Sequence, residues 1–564
     1  MLDKKENLQM MGYYGLVDGV NVNCSSIMRK KTQLIESVNV TSGKLGVLSR
    51  SPLRTKYNSA AVVASLPFLG GCIFKDASGV AHKIVAMNKT GAANSAIYEV
   101  GTSGGTLKKD TLTASKTFDF VTLLDYLMAI NETDGVMTTK DLTTWGTVNA
   151  VSAPKGKFIE EFNNEPYIAG NPSFPNRVYK GFLHNPAVMA VAYVTGDQTS
   201  ATTTVITVDE TKYLKAGMKI DIYERFTTTR RTNGNSLTIV AITSSTTFTI
   251  ASTDLTLLDS DEIYLEDTRT DAAGTSIVNV MSILWDTNED NFDLPPNGEQ
   301  IIGMRKNSGR LVVFQENSMH RWDGSQNIEV SPTVGCSSDK GIISVGNLLF
   351  WMHKGVIYFY DGSEPQACSE LIEPILSSMT TYNQCVGISD DANKRIAMYL
   401  GDISCPELVG TDVWAVYYYK QDKWEFVKGI PASIYFKDNS GTGSAVNYVG
   451  DKAGFLWKFL DGFSEEAPYR ARSGYDCQEQ PSVEKEYRYI TTFSEKPGGK
   501  LYYAVDFSND YKCLGEITEI NQTFSIPMGK GFGTFISVMW ADNTSNERPE
   551  FLGYEVFFSQ KGIK

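Results

Sequence analysis

The sequence predicts an all-β protein, built as a β-propeller with an inserted small β-barrel or sandwich and a C-terminal antiparallel β-domain. Three observations predict this fold class. A strand–turn–strand unit recurs along the chain, amphipathic helical patterns are almost absent, and the composition is typical of strands joined by tight turns. The 564 residues include 48 Gly, 28 Tyr and 27 Phe. A chain of this length can bury a substantial core.

The clearest repeats are two strand–turn–strand segments that end in aromatic residues followed by Asp-Gly. They cover 309–324 and 346–362, and their Asp-Gly pairs lie 38 residues apart. A looser copy ends at 461–462, and 412–429 has the same form. Because glycine adopts a positive φ without a steric penalty, Asp-Gly suits a tight corner between strands. The residues that we assign to blade corners and their aromatic neighbours are Trp322, Asp323, Gly324, Tyr360, Asp361, Gly362, Trp424, Trp457, Asp461 and Gly462.

Weaker copies of the same unit precede these segments. They cover 82–100, 120–139 and 158–181, each with apolar residues at period two, a polar turn and a second strand with aromatic residues. A self-similar period of roughly 40 to 50 residues with about four strands per unit is typical of propeller blades. The repeats leave one alternative open, a stack of β-sandwiches.

Two segments interrupt the repeats and set the predicted domain boundaries. The chain becomes rich in Thr and Ser after about residue 187, and the Asp-Gly rhythm stops at about residue 468. The only helix predicted covers 368–380, where Leu371, Ile375 and Met379 share one face. The predicted organisation is an N-terminal arm with the first strands at 1–58, blades at 59–186, the inserted β-domain at 187–280, further blades at 281–467 and the C-terminal β-domain at 468–564.

The charge balance argues against one class of partner. Lys and Arg total 52 and Asp and Glu total 65, so the formal net charge is 52 − 65 = −13. An acidic chain without a long basic run is not expected to bind nucleic acid tightly. The N-terminal MLDKKENLQM carries charges where a signal peptide is apolar, which predicts no secretion by that route. The eight cysteines form no CxxC pair and are predicted to be reduced core thiols.

No pattern in the sequence predicts catalysis, a cofactor or a metal, so we expect the protein not to be an enzyme. Residues 101–105 read GxSxG, but no helical pattern follows them. The segment 286–297 opens like a calcium loop but has Asn where that loop needs Gly and a bidentate Glu. Glu160 and Glu161 are adjacent on a predicted strand and should point to opposite faces, which excludes an acid–base pair. Four histidines leave little room for imidazole chemistry.

The order of the segments resembles a known family. The N-terminal GLVDGVNVNCSSIMRKKTQLIESVNVTSGKLGVLSRSP, the block EPYIAGNPSFPNRVYKGFLHNP, and the pair SILWDTNEDNFDLPPNGEQIIGMRKNSGRLVVFQENSMHRWDG and CSSDKGIISVGNLLFWMHKGVIYFYDG carry this resemblance. Together they resemble the tail nozzle, tail-hub or DNA-stabilisation propeller proteins of short-tailed bacteriophages. The resemblance is strongest from residue 165 to 462, outside the inserted domain.

This resemblance implies a structural component of a virion tail. The family forms homo-oligomeric rings, with six copies expected here, below the adaptor and portal in the head–tail connector complex. Such a ring would form part of the DNA exit channel, retain packaged DNA until ejection and pass it without sequence-specific binding. The implied location is the virion tail, after synthesis and assembly in the host cytoplasm, with no membrane insertion and no cofactor. The alternatives are a virion receptor- or glycan-binding propeller, for which the aromatic blade ends would be the platform, and a cellular scaffold propeller.

Overall fold

The computed structural model describes most of the chain, and nearly all of the regular structure in that part is β-strand. The described residues are 8–16, 18–25, 29–42, 44, 46–91, 94–123, 125–145, 154–184, 190–227, 229–231, 236–265, 282–285, 290–295, 298–441, 445–463, 468–542 and 548–561.

The first fifteen strands cover the N-terminal segment and the first part of the propeller. The N-terminal strands are β1 (Gln9–Tyr14), β2 (Leu34–Val38), β3 (Val40–Thr41), β4 (Leu48–Arg50) and β5 (Arg54–Lys56). The propeller strands that follow are β6 (Phe68–Lys75), β7 (Ala81–Asn88), β8 (Asn94–Gly101), β9 (Gly104–Thr113), β10 (Asp119–Leu123), β11 (Tyr126–Asn131), β12 (Gly135–Thr139), β13 (Phe158–Phe162), β14 (Glu165–Asn171) and β15 (Phe174–His184).

The next strands form the inserted domain and the second part of the propeller. The insertion contains β16 (Ala192–Tyr193), β17 (Gln198–Thr207), β18 (Lys219–Tyr223), β19 (Leu237–Ser244), β20 (Thr247–Leu257) and β21 (Glu262–Leu265). The propeller resumes with β22 (Ser282–Trp285), β23 (Asn291–Asp293), β24 (Ile301–Asn307), β25 (Arg310–Gln315), β26 (Met319–Trp322), β27 (Asn327–Ser331), β28 (Ile343–Val345), β29 (Leu348–His353), β30 (Val356–Tyr360), β31 (Gln366–Ala367), β32 (Gly387–Asp390), β33 (Arg395–Cys405), β34 (Leu408–Tyr418), β35 (Lys423–Val427), β36 (Ile434–Asp438), β37 (Val446–Gly450) and β38 (Leu456–Phe459).

The C-terminal strands and the few helical turns complete the described elements. The strands are β39 (Tyr469–Ser473), β40 (Lys485–Lys496), β41 (Lys500–Val505), β42 (Lys512–Glu516), β43 (Asn521–Ser525), β44 (Phe532–Gly533), β45 (Ile536–Asp542) and β46 (Glu550–Gln560). The helical turns are α1 (Glu373–Leu376) and the 3-10 turns Asp339–Gly341, Glu370–Ile372 and Tyr382–Gln384.

Seven sheets of the described chain form a closed propeller. In order they are β6–β9, β10–β12, β13–β15 with β22 and β23, β24–β27, β28–β31, β32–β35, and β36–β38 with β5. The first strand of each blade contacts the first strand of the next around a common axis, and β36 contacts β6 to complete the ring. The predicted propeller is therefore confirmed, and the closed ring excludes a stack of sandwiches.

Ring closure depends on a strand from the start of the chain. β5 pairs antiparallel with β38 as the outer strand of the seventh blade, with Arg54 opposite Phe459 and Lys56 opposite Trp457. Between the seventh and first blades, apolar side chains from the two facing sheets pack together, among them Val85, Met87 and Phe436. Each blade is apolar on both faces because both faces are covered by neighbours.

The insertion is a six-stranded unit with its own core. Its strand order is β16-β21-β18-β19-β20-β17, and a bridge between Val194 and Val208 brings the two ends of that order together into a small barrel. Its buried apolar residues pack only among themselves as a separate cluster, for example Ile220, Phe248 and Ile263. The chain leaves the third blade after β15 and returns on β22, which pairs with β15, so the blade closes beneath the insertion.

The C-terminal domain consists of two sheets that share a core. One sheet is an extension of the sixth blade, which continues from β35 through β2, β39, β45 and β41 to β42. The other has the order β3-β4-β46-β40-β43, with β1 on β46 and β44 on β40. Buried side chains such as Trp540, Phe551 and Tyr554 lie between the two sheets.

The structure corrects the predicted N-terminal arm at 1–58. β1, β3 and β4 belong to the second C-terminal sheet, and β5 belongs to the seventh blade. β2 is the link between blade and domain, because Val38 pairs in parallel with Phe426 on one side and antiparallel with Arg470 on the other. Most of the described N-terminal segment is therefore shared structure and not an independent arm, and no break separates the sixth blade from the C-terminal sheet.

The structure also corrects the predicted helix at 368–380. Only Glu373–Leu376 is α-helical, after a 3-10 turn at Glu370–Ile372. Pro374 has no amide hydrogen to donate to a preceding carbonyl, so a continuous helix cannot run through this position. The face that the periodicity indicated is nevertheless packed, since Ile375 and Met379 are buried in the core and Leu371 lies against it.

The structure also shows the state of the cysteines and the length of the helices. The eight cysteines form no disulfide, and two of them, Cys336 and Cys385, are buried, whereas Cys513 is exposed and departs from the predicted core position. Within the described residues, no helix is long and apolar enough to cross a membrane.

The corner glycine Gly362 gives a test of the repeat. Its φ is +111°, and an added Cβ would meet no atom within 4 Å. We expect Gly362→Val to lower the free energy of unfolding by about 1 to 3 kcal/mol, through backbone strain alone. Urea unfolding followed by far-UV circular dichroism measures this. Glu364→Val, on the same exposed turn but without a positive φ, is the control and should change little; equal losses in the two variants would contradict the assignment.

Candidate functional site

The propeller axis contains a cavity of about 370 Å³ that is lined by the inner strands of all seven blades. Glycines on these strands hold the blades close together. A Cβ on Gly70 would lie 2.2 Å from the carbonyl oxygen of Phe118 in the next blade, and one on Gly387 would lie 2.3 Å from Ile343. The inner strands therefore converge until only a narrow polar space remains, which we call the axial channel.

The walls of the axial channel are charged although the blades around it are apolar. The charged residues that line it are Asp119, Glu160, Arg305, Asp339, Lys340 and Lys437. Three are acidic and three are basic, so the lining is neutral overall. Each side chain comes from the inner strand of its blade or from the turn just before it, and together they come from five of the seven blades.

Asp119 joins the second blade to the third. Its Oδ1 accepts a hydrogen bond from the amide of Phe120 at 2.9 Å, and its Oδ2 accepts one from the amide of Ile159 at 2.9 Å. Burial raises the pKa of the Asp119 carboxyl, against the effect of Arg305. Because both oxygens hold backbone amides, this carboxylate fixes the spacing of β10 and β13.

Arg305 lies at the centre of the charged set. Its guanidinium donates to the carbonyl oxygens of Met304 at 2.8 Å and Asp339 at 3.4 Å, and it lies 3.8 Å from the Glu160 carboxylate. Burial alone would lower the pKa of the guanidinium, but the carboxylates of Asp119 and Glu160 raise it. The arginine therefore stays charged and compensates the two acids.

Two lysines tie the later blades together across the channel. Lys340 donates from Nζ to the carbonyl oxygen of Ser433 at 3.0 Å, which joins the fifth blade to the seventh. Lys437 donates to Ser389 Oγ at 3.3 Å and to the carboxylate of Asp391, which joins the seventh blade to the sixth. Burial lowers the pKa of Lys340.

Glu160 is the acid of the channel that pairs with the Arg305 guanidinium. Burial raises its pKa to about 7, with Asp119 adding to the shift and Arg305 opposing it. Its neighbour Glu161 lies outside the channel and accepts a hydrogen bond from Lys306 at 2.8 Å. The predicted separation of these two glutamates on opposite faces is thus observed. A carboxyl that titrates near neutrality beside a second carboxylate is chemically able to donate a proton.

The channel geometry limits what it can do. No group of three or more His, Cys, Asp or Glu among the described residues is placed to hold a metal ion. The major groove of a DNA duplex is about 12 Å wide by itself, so a space of this volume inside one subunit does not admit a duplex. The cavity lies at the lower end of the range of small-molecule pockets, about 300 to 1,000 Å³.

The predicted corner residues lie away from this channel and occupy equivalent positions in three blades. Asp323-Gly324, Asp361-Gly362 and Asp461-Gly462 each follow the third strand of a blade. All three glycines have a positive φ. In the first two turns the aspartate accepts hydrogen bonds from amides two or three residues later, at 2.8 to 3.0 Å.

The aromatic residues assigned with these corners pack against neighbouring elements. Trp322 stacks on Phe292 with ring centroids 4.2 Å apart, and Trp457 lies beneath the guanidinium of Arg54 at 3.9 Å. Tyr360 and Trp424 are buried in the core. None of these rings lines the axial channel. The rings contact neighbouring structural elements of the propeller instead.

The motif-like strings of the sequence have ordinary structural positions. The GxSxG string at 101–105 is the hairpin turn between β8 and β9. The calcium-like segment begins at 286–289, which lies outside the described residues. Sequence reasoning missed the channel residues Asp119, Arg305 and Lys340, because no motif in the segments around them marks these charges as part of a site. The signal that could have found them is a polar residue on the inner strand of successive repeats.

Comparison with known proteins gives a likeness of fold only. No protein-family model matches the chain, and no curated protein matches it. Among solved structures, YCF48 bound to a D1 peptide matches with a TM-score of 0.35 and 9% identity, over 73% of this chain and 97% of that chain. BamB from Moraxella catarrhalis matches at 0.33 and 9%, over 70% and 83%. The endosialidase of phage phi92 matches at 0.21 and 9%, over 74% and 56%.

The protonation of Glu160 gives a pH prediction. Its pKa of about 7 exceeds the ordinary value of 4.5, so the folded chain holds a proton that the unfolded chain has released between these pH values. The contribution to stability is present below pH 4.5 and is lost as the pH rises through 7. We expect unfolding free energies at pH 5 and pH 8 to differ by about 2.5 kcal/mol more in the wild type than in Glu160→Gln.

Urea titrations at the two pH values measure this difference. Glu161→Gln is the matched control, because that carboxylate lies outside the channel, and it should behave as the wild type does in this pH window. The same pH dependence in wild type and Glu160→Gln would contradict the assignment of the titration to Glu160.

Proposed function

We propose that the protein is a structural component of a phage virion tail, in the nozzle or hub below the adaptor and portal. One structural observation supports this proposal, together with the resemblance in the order of the segments. β2 pairs with the sixth blade through Val38 and Phe426 and with the C-terminal domain through Val38 and Arg470, so propeller and domain form one continuous sheet. A body without a break between its parts suits a component that must keep its shape while DNA moves past it.

In this proposal the DNA path is the lumen of a ring of subunits and not the propeller axis. The axial channel is too small for a duplex, and its walls are held together by ion pairs and hydrogen bonds. The net charge of −13 on each subunit opposes adhesion of phosphates, which suits a passage through which DNA must slide at ejection. DNA contacts would be independent of sequence.

The proposed partners follow from the same position. A closing ring, with six copies as the expected number, needs heterologous interfaces between neighbouring subunits. One end of the ring would contact adaptor or portal-side proteins and the other end further tail proteins. The proposed location is the virion tail, after assembly in the host cytoplasm.

Native mass spectrometry of the purified full chain tests the ring. We expect a closed oligomer, with six as the predicted copy number, that survives dilution better than an open chain of subunits would. Electrophoretic mobility shift at physiological salt should show no retention of double-stranded DNA. A chain that is monomeric at every concentration, or one that binds duplex DNA tightly, would contradict the proposal.

A second candidate function is a virion propeller that binds, and could process, a glycan in the axial channel. The observation that favours it is the meeting of Asp119 and Glu160 from neighbouring strands, with a pKa of about 7 for Glu160. Isothermal titration with glucose, galactose, mannose and N-acetylglucosamine tests it. Binding that is lost in Glu160→Gln and kept in Glu161→Gln would favour this function, and absence of binding by all four sugars would reject it.

A further inference from the structure

A groove of about 730 Å³ lies between the sixth blade and the C-terminal domain, beside β2. Its charge differs in sign from that of the whole chain. Four cationic side chains and two carboxylates line it, in a protein with a net charge of −13. The cations are Arg54, Lys428, Arg470 and Arg472, and the carboxylates are Glu36 and Glu407.

The first wall of the groove is β39 with its neighbour β2. Tyr469 and Ala471 are buried in the shared core, so the alternate residues Arg470 and Arg472 lie on the opposite face of the strand. Both arginines line the groove, and Glu36 on β2 lies directly opposite Arg472 in the sheet register. Two guanidinium groups therefore stand two residues apart on one face.

Among the residues that the structure describes, these two arginines are only partly compensated. Glu36 Oε1 lies 3.4 Å from Arg470 and Glu36 Oε2 lies 3.3 Å from Arg472, so one carboxylate is shared by two guanidinium groups. Each guanidinium has five N–H donors, and a single carboxylate cannot satisfy both sets. The Arg470 side chain is 50% exposed, which leaves its remaining donors accessible from the groove.

The second wall is the end of the β33–β34 hairpin. Register shifts near Gly401 bend this hairpin, and its two-residue turn follows Cys405. The turn brings Pro406 and Glu407 to the groove, and the start of β34 brings Val409, which is 67% exposed. The Leu408 side chain is buried in the core. Lys428 donates to the carbonyl oxygen of Val409 and holds the hairpin in place. The apolar part of this wall is therefore Pro406 and Val409, and its carboxylate is Glu407.

We propose that this groove binds a small organic anion, with its carboxylate or phosphate on Arg470 and Arg472 and its carbon skeleton against Pro406 and Val409. The volume lies within the range of small-molecule pockets, about 300 to 1,000 Å³. The planar fork of arginine matches carboxylate and phosphate oxygens in pairs, which a lysine does not do. The inference is independent of the virion role and of the axial channel.

Isothermal titration of the full chain with four probes tests the groove: glucuronate, glucose 6-phosphate, inorganic phosphate and neutral glucose. We expect glucuronate or glucose 6-phosphate to bind, glucose not to bind, and affinity to fall as salt rises. The ratio between the two sugar anions distinguishes a carboxylate ligand from a phosphate ligand. Binding of inorganic phosphate as tight as that of the sugar anions would contradict a role for the apolar wall.

Matched variants connect any binding to the arginines. Arg470→Ala and Arg472→Ala should each weaken binding by about tenfold or more. Arg310→Ala, an exposed arginine on the fourth blade, is the control and should bind as the wild type does. Glu36→Gln removes the competing charge and keeps both arginines, so we expect it to bind more tightly, a result that a purely structural role for these residues does not produce.

The outcomes separate this inference from the proposed function. No binding by either sugar anion, or equal affinity in the wild type, Arg470→Ala and Glu36→Gln, would overturn the groove site. Arg470 is half exposed, so its variant remains informative even if Arg472→Ala is less stable. Neither result bears on ring formation, which native mass spectrometry of the purified chain measures, or on presence in virions, which is measured on particles.

Discussion

Replacing Thr55 by proline is expected to open the propeller ring and to lower the free energy of unfolding by about 3 kcal/mol. Thr55 lies opposite Lys458 in the pairing of β5 with β38. The neighbouring amide of Tyr57 donates to the carbonyl oxygen of Leu456 at 2.9 Å, so the amide of Thr55, two residues earlier, faces the same strand. Proline removes that donor and places its ring against β38.

The matched control for this variant is Thr55→Ala, which keeps the amide hydrogen and loses only the side-chain hydrogen bond to the Asp461 carbonyl. We expect it to lose less than about 1 kcal/mol. Urea unfolding followed by tryptophan fluorescence compares the two, because Trp457 lies on β38 opposite Lys56. Equal stability of the proline and alanine variants would show that β5 does not close the ring.

Replacing Glu425 by alanine is expected to cost about 3 to 5 kcal/mol of stability, because it leaves a buried lysine without its charge partner. The side chains of Lys423 and Glu425 are 3% and 4% exposed. Ser42 bridges them: its amide donates to Glu425 Oε1 at 2.8 Å, and its carbonyl oxygen accepts from Lys423 Nζ at 3.0 Å. Burial already lowers the pKa of Lys423 in the intact network.

A double variant separates the buried charge from the packing. Lys423→Met with Glu425→Leu removes both charges, and we expect it to recover most of the stability that Glu425→Ala loses. Glu364→Ala, on an exposed turn, should change little. Urea titrations at pH 7 measure the free energy of unfolding of all three variants. A double variant as unstable as Glu425→Ala would contradict the charge explanation.

The sequence could predict those parts of the fold that depend on patterns within a few neighbouring residues. The segment 309–324 became β25 and β26, and 346–362 became β29 and β30, because alternating apolar residues and an Asp-Gly corner are both read within a few residues. The insertion was visible for the same reason, since its Thr-rich strands differ in composition from the blades around them.

Long-range pairing was the part that the sequence could not predict. β2 and β5 find their partners about four hundred positions later in the chain, and nothing within Leu34–Val38 or Arg54–Lys56 indicates which strand they join. An apolar segment of five residues predicts a strand but not its neighbour. The arm at 1–58 therefore looked independent, although it closes the ring and joins the two units.

The channel site was missed for a related reason. Asp119, Glu160 and Arg305 lie in three different blades and are 41 and 145 residues apart in sequence, so they meet only when the ring closes. The adjacent pair Glu160 and Glu161 was correctly rejected as an acid–base pair, but the acid that faces Glu160 comes from another strand. The inner strands of a propeller bring such residues together from distant positions in the chain, so no local sequence motif indicates the site.

Quantitative mass spectrometry of density-purified phage particles tests whether this chain is, as we propose, a structural part of a virion tail. We expect a few copies in each particle, near six for every twelve portal subunits, which is the ratio that a single sixfold ring below the portal requires. Absence of the chain from purified particles would contradict the claim and leave a free propeller whose ligands would then be sought at the axial channel and the arginine-lined groove.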